Sequence, residues 1–231
     1  MSTIRERLDL VRARIASAAS RAGRADPIRL VAVSKGQPSQ AIVEAVSAGQ
    51  IDIGENYVQE LSSKARELEH LSVAWHFIGH LQRNKVRDVV EVASMIHTVD
   101  RPELADEIAK RAPRPIEVLL EVNVAREPQK SGCDPDLVTS LASHVSKLDG
   151  LVLRGLMTVP PVTDDAEGAR PHFRALREMG SRLVDAGLVR APLELSMGMS
   201  HDFDVAIEEG ATIVRVGTDI FGPRAAKAPK G

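Results

Sequence analysis

The strongest structural signal in the sequence is LSMGMSHDFDVAIEEGATIVRVGTDIFG, at residues 195–222. It contains two short apolar runs, and each run is followed by a loop of small residues. The first loop, SMGMS at 196–200, opens a helical pattern, so its hydroxyls and free N–H groups suit an anion. Gly217 and Thr218 follow the second run with the same chemistry. The loops after strands 7 and 8 of a (β/α)8 barrel recurrently form a phosphate site, so this stretch predicts such a barrel.

Strand-like runs recur along the rest of the chain and alternate with helical patterns. Eight runs lie at 28–34, 51–54, 74–78, 95–99, 116–124, 151–155, 193–196 and 212–216, with helical patterns at 39–48, 56–68, 82–92, 102–111, 135–148, 165–186 and 202–209. The runs are nearly continuously apolar, as strands covered on both faces should be. Eight strand–helix units predict an α/β protein with a (β/α)8 TIM-like barrel. An open doubly wound sheet is the alternative, but no G-x-G-x-x-G fingerprint follows an early strand.

An extra helix precedes the first strand. Thr3 and Glu6 have the spacing of a capping box, and apolar residues then repeat at helical spacing to about residue 22. We expect this N-terminal helix to cover the side of the barrel that a missing eighth helix leaves open. Residues 1–224 are predicted to form one barrel domain, and the tail 225–231 is predicted to be disordered.

Composition limits the classes of function. The 231 residues are 43% hydrophobic and 27% charged, which is enough for a large single core. A net charge of −2 gives no broad basic field, so we expect neither nucleic acid nor a membrane surface as a partner. The single cysteine, Cys133, excludes an internal disulfide and a cysteine-rich metal site. With no signal peptide pattern and no membrane-length apolar run, we expect a cytoplasmic protein.

Lys35 is the candidate with the clearest chemistry, because it follows the apolar run at 30–33 and functional groups lie at the carboxyl ends of barrel strands. Considered alone, Lys35 is best interpreted as an ordinary lysine at the end of a strand, with its amine extending into solvent. Facing phosphate loops, it would be partly desolvated, which lowers a lysine pKa and exposes the amine for Schiff-base chemistry. Lysine and loops together favour a phosphorylated aldehyde, which needs one amine and one anion site.

Seven segments then match a known family in order: VAVSK (31–35), GENYVQE (54–60), WHFIGHLQRNK (75–85), IHTVD (96–100), EVNVAREPQKSG (121–132), RGLMTVP (154–160) and SMGMSHDFDVAIEEGATIVRVGTDIFG (196–222). This series resembles the pyridoxal phosphate homeostasis proteins over residues 28–224. The resemblance implies a single-domain barrel of the alanine racemase type that binds pyridoxal 5′-phosphate (PLP). It also implies a role in PLP, vitamin B6 and amino-acid homeostasis.

The resemblance assigns roles residue by residue. Lys35 matches the family's aldimine lysine, and Arg215 matches the arginine near the pyridine nitrogen. We expect the cofactor-binding residues to be Lys35, Asn56, His80, Met157, Ser196, Gly198, Ser200, Arg215, Gly217 and Thr218, of which Ser196, Ser200, Gly217 and Thr218 match the phosphate cradle. His80 also fits a polar structural role, and Met157 also fits core packing.

Three positions depart from the family pattern. Gly36 follows the lysine where many relatives have a larger residue, and Ile53 replaces a common phenylalanine. Asp219 adds an acid beside Thr218 that would weaken phosphate binding if it pointed inward. Arg215 has two interpretations of equal weight. It either donates to the pyridine nitrogen, which leaves the ring a poor electron sink, or pairs with a carboxylate such as Asp219 at the rim.

Three functions remain open from the sequence. We favour a PLP-holding homeostasis protein, a monomer without efficient turnover, that passes PLP to apo-enzymes. A PLP-dependent racemase or decarboxylase would need a further domain or subunit to place a base, and the chain ends nine residues after Gly222. A Schiff-base aldolase also combines a lysine with phosphate loops. No catalytic residue and no metal ligand is predicted.

Overall fold

The fold is a closed parallel barrel in a computed structural model that describes residues 2–223. Its eight strands are β1 (Arg29–Val33), β2 (Asp52–Glu55), β3 (Ala74–Phe77), β4 (Met95–Val99), β5 (Ile116–Glu121), β6 (Leu151–Met157), β7 (Glu194–Ser196) and β8 (Ile213–Val216). Each strand pairs with the next, and β8 pairs in parallel with β1. The predicted (β/α)8 TIM-like barrel is therefore confirmed, and the open doubly wound sheet is excluded.

Helices surround the barrel at nearly all the predicted intervals. They are α1 (Ile4–Arg21), α2 (Ser39–Ser47), α3 (Val58–Glu67), α4 (Val86–Val90), α5 (Pro102–Arg111), α6 (Val138–Val145), α7 (Arg170–Asp185), α8 (Phe203–Glu208) and α9 (Thr218–Phe221). Short 3-10 turns precede α4, α6 and α7, so these helices begin later than predicted. The predicted tail 225–231 lies outside the described residues.

Helix α1 closes the side of the barrel after β8. Its capping box is present: the Glu6 N–H donates to Thr3 Oγ1 at 3.2 Å, and the Thr3 N–H donates to Glu6 Oε2 at 2.8 Å. Up to residue 223, where the described part of the chain ends, the only helix after strand β8 is the four-residue α9, and α1 packs against α2, α8 and α9. The predicted role of the N-terminal helix is confirmed.

The buried residues fall into two regions. The larger core lies between the strands and the helices. A small apolar cluster is contributed by five different strands and occupies part of the barrel interior; its members are Val31, Met95, Leu119, Met157 and Ile213. The rest of the interior includes the buried polar side chains of His76, His97, Ser196 and Arg215. Within residues 2–223, no helix has the length and apolarity needed to cross a membrane.

Candidate binding site at the carboxyl end of the barrel

A cavity of about 380 Å³ opens at the carboxyl ends of the strands. This volume lies in the range of small-molecule sites in proteins. Six of the ten predicted site residues line its wall, namely Lys35, Asn56, Ser200, Arg215, Gly217 and Thr218. The remaining lining residues are Val33, Ile78, Val159, Met199 and His201. The amine, the small-residue loops and the guanidinium thus meet in one cavity, as the strand-end positions predict.

Arg215 lies in the barrel interior, and two hydrogen bonds fix its guanidinium at the cavity. One amino group donates to Ser196 Oγ at 2.6 Å, and the other donates to the Thr158 carbonyl at 2.9 Å. Burial lowers the pKa of Arg215 to about 10, against the opposing charges of Asp202 and Glu121. The guanidinium therefore remains a cation at neutral pH and can only donate hydrogen bonds.

Asp219 points away from the cavity. Its Oδ2 accepts from Arg14 of α1 at 2.8 Å, and the same guanidinium binds Asp204 of α8 at 2.6 Å. Because its carboxylate is engaged with α1, the acid does not face an anion bound beside Thr218. The rim pair between Arg215 and Asp219 is not formed.

A buried hydrogen-bond chain continues from Arg215 across the barrel. Ser196 Oγ lies 2.9 Å from His97 Nδ1, and His97 Nε2 lies 2.9 Å from His76 Nδ1. His76 Nε2 then reaches Asp52 Oδ1 at 3.0 Å. Arginine only donates and a carboxylate only accepts, so the four bonds can all be donated in one direction, from Arg215 towards Asp52, with the Nε2–H of each histidine as a donor.

His97 was not predicted as a site residue. Burial, followed by the charges of His76 and Arg215, holds the pKa of His97 well below its usual range. A neutral His97 is the form that can accept from the Ser196 hydroxyl. No motif signals this role, because the partners of His97 lie on strands that are far apart in sequence.

The two small-residue loops have different geometries. Helix α9 begins at Thr218, so its first N–H groups lack intrahelical acceptors and face the end of β8. A Cβ at Gly217 would lie 3.1 Å from the Val33 carbonyl oxygen, so glycine lets this loop approach β1. Gly198 has φ +91°, and a Cβ there would lie 2.6 Å from the Ala206 Cβ. The first loop is thus tightly packed on α8.

Four predicted residues lie outside the cavity wall. The Ser196 side chain is fully buried between Arg215 and His97, and Met157 belongs to the interior apolar cluster. Gly198 serves the loop backbone, since its carbonyl accepts from the Arg215 N–H at 3.0 Å. The imidazole of His80 is half exposed, with Nδ1 3.2 Å from Ser131 Oγ. Contact between these four residues and a ligand stays a prediction.

Asn56 lines the cavity and carries a buried acceptor. Its Oδ1 is buried and has no hydrogen-bond partner within residues 2–223. The chain approaches closely here, because a Cβ at Gly79 would lie 1.9 Å from the Asn56 carbonyl oxygen. A buried amide oxygen without a partner is costly, so a ligand that donates a hydrogen bond would remove that cost.

Glu121 is a second buried group near the cavity, at the end of β5. Its side chain is 9% exposed, and its Oε2 has no hydrogen-bond partner in the described part of the chain. Burial and the charge of Asp100 raise the pKa of Glu121 to about 7, while the charge of Arg215 lowers it. Sequence reasoning did not single out this carboxyl group.

Other surfaces lack this combination of groups. Three larger grooves lie outside the barrel: two of about 680 Å³ each, beside α1 and between α3 and α4, and one of about 570 Å³ between α3 and the start of α2. None of the three is lined by Lys35 or by the small-residue loops. Across residues 2–223, no three His, Cys, Asp or Glu side chains are grouped so as to hold a metal ion.

Comparison with known proteins identifies the family. Residues 7–225 match the family described as "Alanine racemase, N-terminal domain". A pyridoxal phosphate homeostasis protein from Aquifex aeolicus is 46% identical, over 95% of this chain and 97% of its own length. Another from Pseudomonas aeruginosa is 46% identical, over 99% of each chain.

A solved structure agrees with both the sequence and the fold. PipY of Synechococcus elongatus, determined with PLP bound, has a TM-score of 0.83 and 37% identity to this chain. The similarity covers 95% of this chain and all of that one (100%). The barrel, its alanine racemase-type domain and identity over nearly the full length lead to one assignment: the chain belongs to the pyridoxal phosphate homeostasis protein family.

Proposed function

We propose that this protein binds pyridoxal 5′-phosphate in the cavity at the carboxyl end of the barrel and serves PLP and vitamin B6 homeostasis. The observation that carries the proposal is the convergence of Lys35, Arg215 and the loops at Ser200 and Thr218 on one cavity of about 380 Å³. The 37% identical PipY, whose structure contains PLP, supports the same ligand. In this proposal residues 1–224 act as one PLP-binding domain.

The residues fit the cofactor group by group. The Lys35 amine forms a C=N bond to the aldehyde carbon, and the carbonyl oxygen leaves as water. Ser200, Thr218 and the backbone N–H groups beside Gly217 supply donors for the phosphate dianion. Arg215 donates to the pyridine nitrogen, and Asn56 Oδ1 accepts from the ring hydroxyl of the cofactor.

The same set of residues favours holding over turnover. PLP supplies an electron sink to amino-acid chemistry, and the sink is strong only when its pyridine nitrogen is protonated. Arg215 remains cationic and offers only donors, so it keeps that nitrogen unprotonated. We therefore propose a binding protein without efficient catalysis, in keeping with relatives that are named homeostasis proteins.

The phosphate site is tested by comparing PLP with pyridoxal. Ser200→Ala and Thr218→Val each remove a hydroxyl donor to a charged group, worth roughly 1.5–3 kcal/mol or one to two decades of PLP affinity. Titration of the apoprotein measures both ligands. Ser63→Ala, on the exposed face of α3, is the matched control and should bind PLP as the wild type does. Equal wild-type affinity for PLP and pyridoxal would contradict the phosphate assignment.

Turnover is tested with the PLP-loaded protein and single L-amino acids in deuterated water. NMR should show slow α-proton exchange at most, with neither racemisation nor decarboxylation over many turnovers. Arg215→Glu should favour pyridine protonation and speed the exchange in a variant that still binds PLP. Rapid multiple turnover by the wild type would favour a racemase-like enzyme. An unchanged exchange rate in Arg215→Glu would show that Arg215 does not contact the pyridine nitrogen.

The wider biology follows from the same proposal. A protein that holds PLP reversibly can pass it to apo-enzymes, because transfer of the C=N bond between lysine amines needs no oxidant or reductant. The apo-enzyme partners, the monomeric state and the cytoplasmic location stay predictions from the sequence.

A further inference from the structure

The backbone that carries Lys35 is held on both sides by side chains of the neighbouring strand–helix unit. On one side, the Ser34 carbonyl accepts from Lys64 Nζ at 2.9 Å. On the other side, the Gly36 N–H donates to Glu60 Oε2 at 2.8 Å. Lys64 and Glu60 both lie on α3. The two peptide groups that flank Lys35 are therefore attached to a single helix.

Lys64 joins these two attachments into one network. Its ammonium also donates to Glu60 Oε2 at 2.8 Å and to Glu55 Oε1 at 2.6 Å. Three acceptors match the three N–H donors of a lysine. The Ser34 hydroxyl donates to the same Glu55 oxygen at 2.6 Å, so both the backbone and the side chain of Ser34 are fixed.

Burial separates this network from an ordinary surface ion pair. Lys64 is 7% exposed, and Ser34 and Glu55 are fully buried. Burying an ammonium and a carboxylate is expensive, and an apolar residue of similar size would pack α3 against the barrel at lower cost. Desolvation raises the pKa of Glu55, and the charge of Lys64 opposes this rise. These buried charges lie beside the loop that carries the Lys35 amine.

Gly36 completes the geometry. Its φ is +71°, a conformation that residues with a side chain rarely adopt, and it orients the N–H that Glu60 accepts. The chain turns sharply just after Lys35, and Glu60 holds the turn.

We propose that Lys64 and Glu60 are positioning residues that hold the Lys35 amine where it can bond to an aldehyde. The proposal rests on the proposed function, because it requires the covalent link at Lys35. Neither residue touches the ligand; each acts through a peptide group adjacent to Lys35. Loosening the network should weaken the covalent link and leave the phosphate and ring contacts intact.

The test compares PLP with 4′-deoxypyridoxine 5′-phosphate, which has the same ring and phosphate but a methyl group in place of the aldehyde. Lys64→Met should lower the affinity for PLP by about tenfold or more, because the peptide group before Lys35 loses the charge-assisted hydrogen bond that holds the amine in place. Affinity for the analogue should stay within about threefold of wild type. The fraction of Lys35 trapped by borohydride at fixed PLP should fall in parallel.

Glu60→Ala provides a second variant at a half-buried position, where loss of the Gly36 attachment should give the same split without unfolding the chain. Arg66→Met, exposed on the same helix, is the matched control and should change neither affinity. The positioning role would be overturned if Lys64→Met and Glu60→Ala lost affinity for PLP and for the analogue equally. It would also be overturned if neither variant lost affinity for either ligand. A wild type with no borohydride adduct at Lys35 would instead contradict the proposed function.

Discussion

The buried side chain of Glu121 makes the stability of the fold depend on pH. Its carboxyl group lies near a permanent cation, Arg215, and an acid, Asp100, and burial outweighs the cation. The raised pKa means that the folded chain keeps the Glu121 proton up to about pH 7, whereas the unfolded chain loses it near the ordinary value of 4.5. Stability from this group is therefore complete at low pH and is lost as pH rises towards 7.

Replacing Glu121 with Gln should remove this pH dependence, because an amide does not titrate. Relative to wild type, the free energy of unfolding of Glu121→Gln should rise by about 2–3 kcal/mol between pH 5 and pH 8. Urea denaturation of both proteins at the two pH values gives this difference, and the contributions of groups that do not interact with Glu121 cancel. A difference that does not change with pH would show that Glu121 titrates normally in the folded protein.

Residue type and position predicted part of the site. Lys35, Arg215 and Thr218 could be found because each lies at or just after the end of a strand and carries a group suited to PLP. Ser196 shares that position, yet its hydroxyl is buried between the Arg215 guanidinium and His97. Strand position predicts that a side chain points inward, but it does not predict whether a neighbouring side chain covers it.

At the scale of elements, apolar runs were enough to find all eight strands, because strands covered on both faces have a continuous hydrophobic signature. Helix ends were predicted less well. The pattern at 82–92 suggested one helix, whereas the chain forms a 3-10 turn at Arg83–Lys85 and then the short α4. A side-chain pattern does not distinguish these two ways of bonding the backbone.

Helices also carry contacts that no local pattern contains. The α3 side chains of Lys64 and Glu60 reach back to the peptide groups around Lys35, about thirty residues earlier in the chain. Arg14 of α1 binds acids on α8 and α9, almost the full length of the chain away. The Arg14 contacts depend on closure of the barrel and the α3 contacts on how neighbouring units pack, so no local pattern in the sequence could predict them.

For the whole molecule, the closed barrel brings the first and last strands together. Val33 of β1 lies against Gly217 after β8, so Lys35 and the Thr218 loop become neighbours although more than 180 residues separate them. Arg215 of β8 adds a guanidinium to the same cavity. The proposed PLP site therefore depends on the fold as a unit, with one strand supplying the amine and the last two strands supplying the anion site and the guanidinium.

The central claim is that Lys35 holds PLP covalently, and peptide mapping after borohydride reduction tests it most directly. The apoprotein is loaded with PLP, reduced, digested and analysed by mass spectrometry, with Lys35→Ala treated in parallel. We predict that the pyridoxyl group is found on Lys35 in the wild type and that the Lys35→Ala protein gives no stoichiometric adduct. A stoichiometric pyridoxyl group on Lys85 or another lysine of the wild type would contradict the assignment.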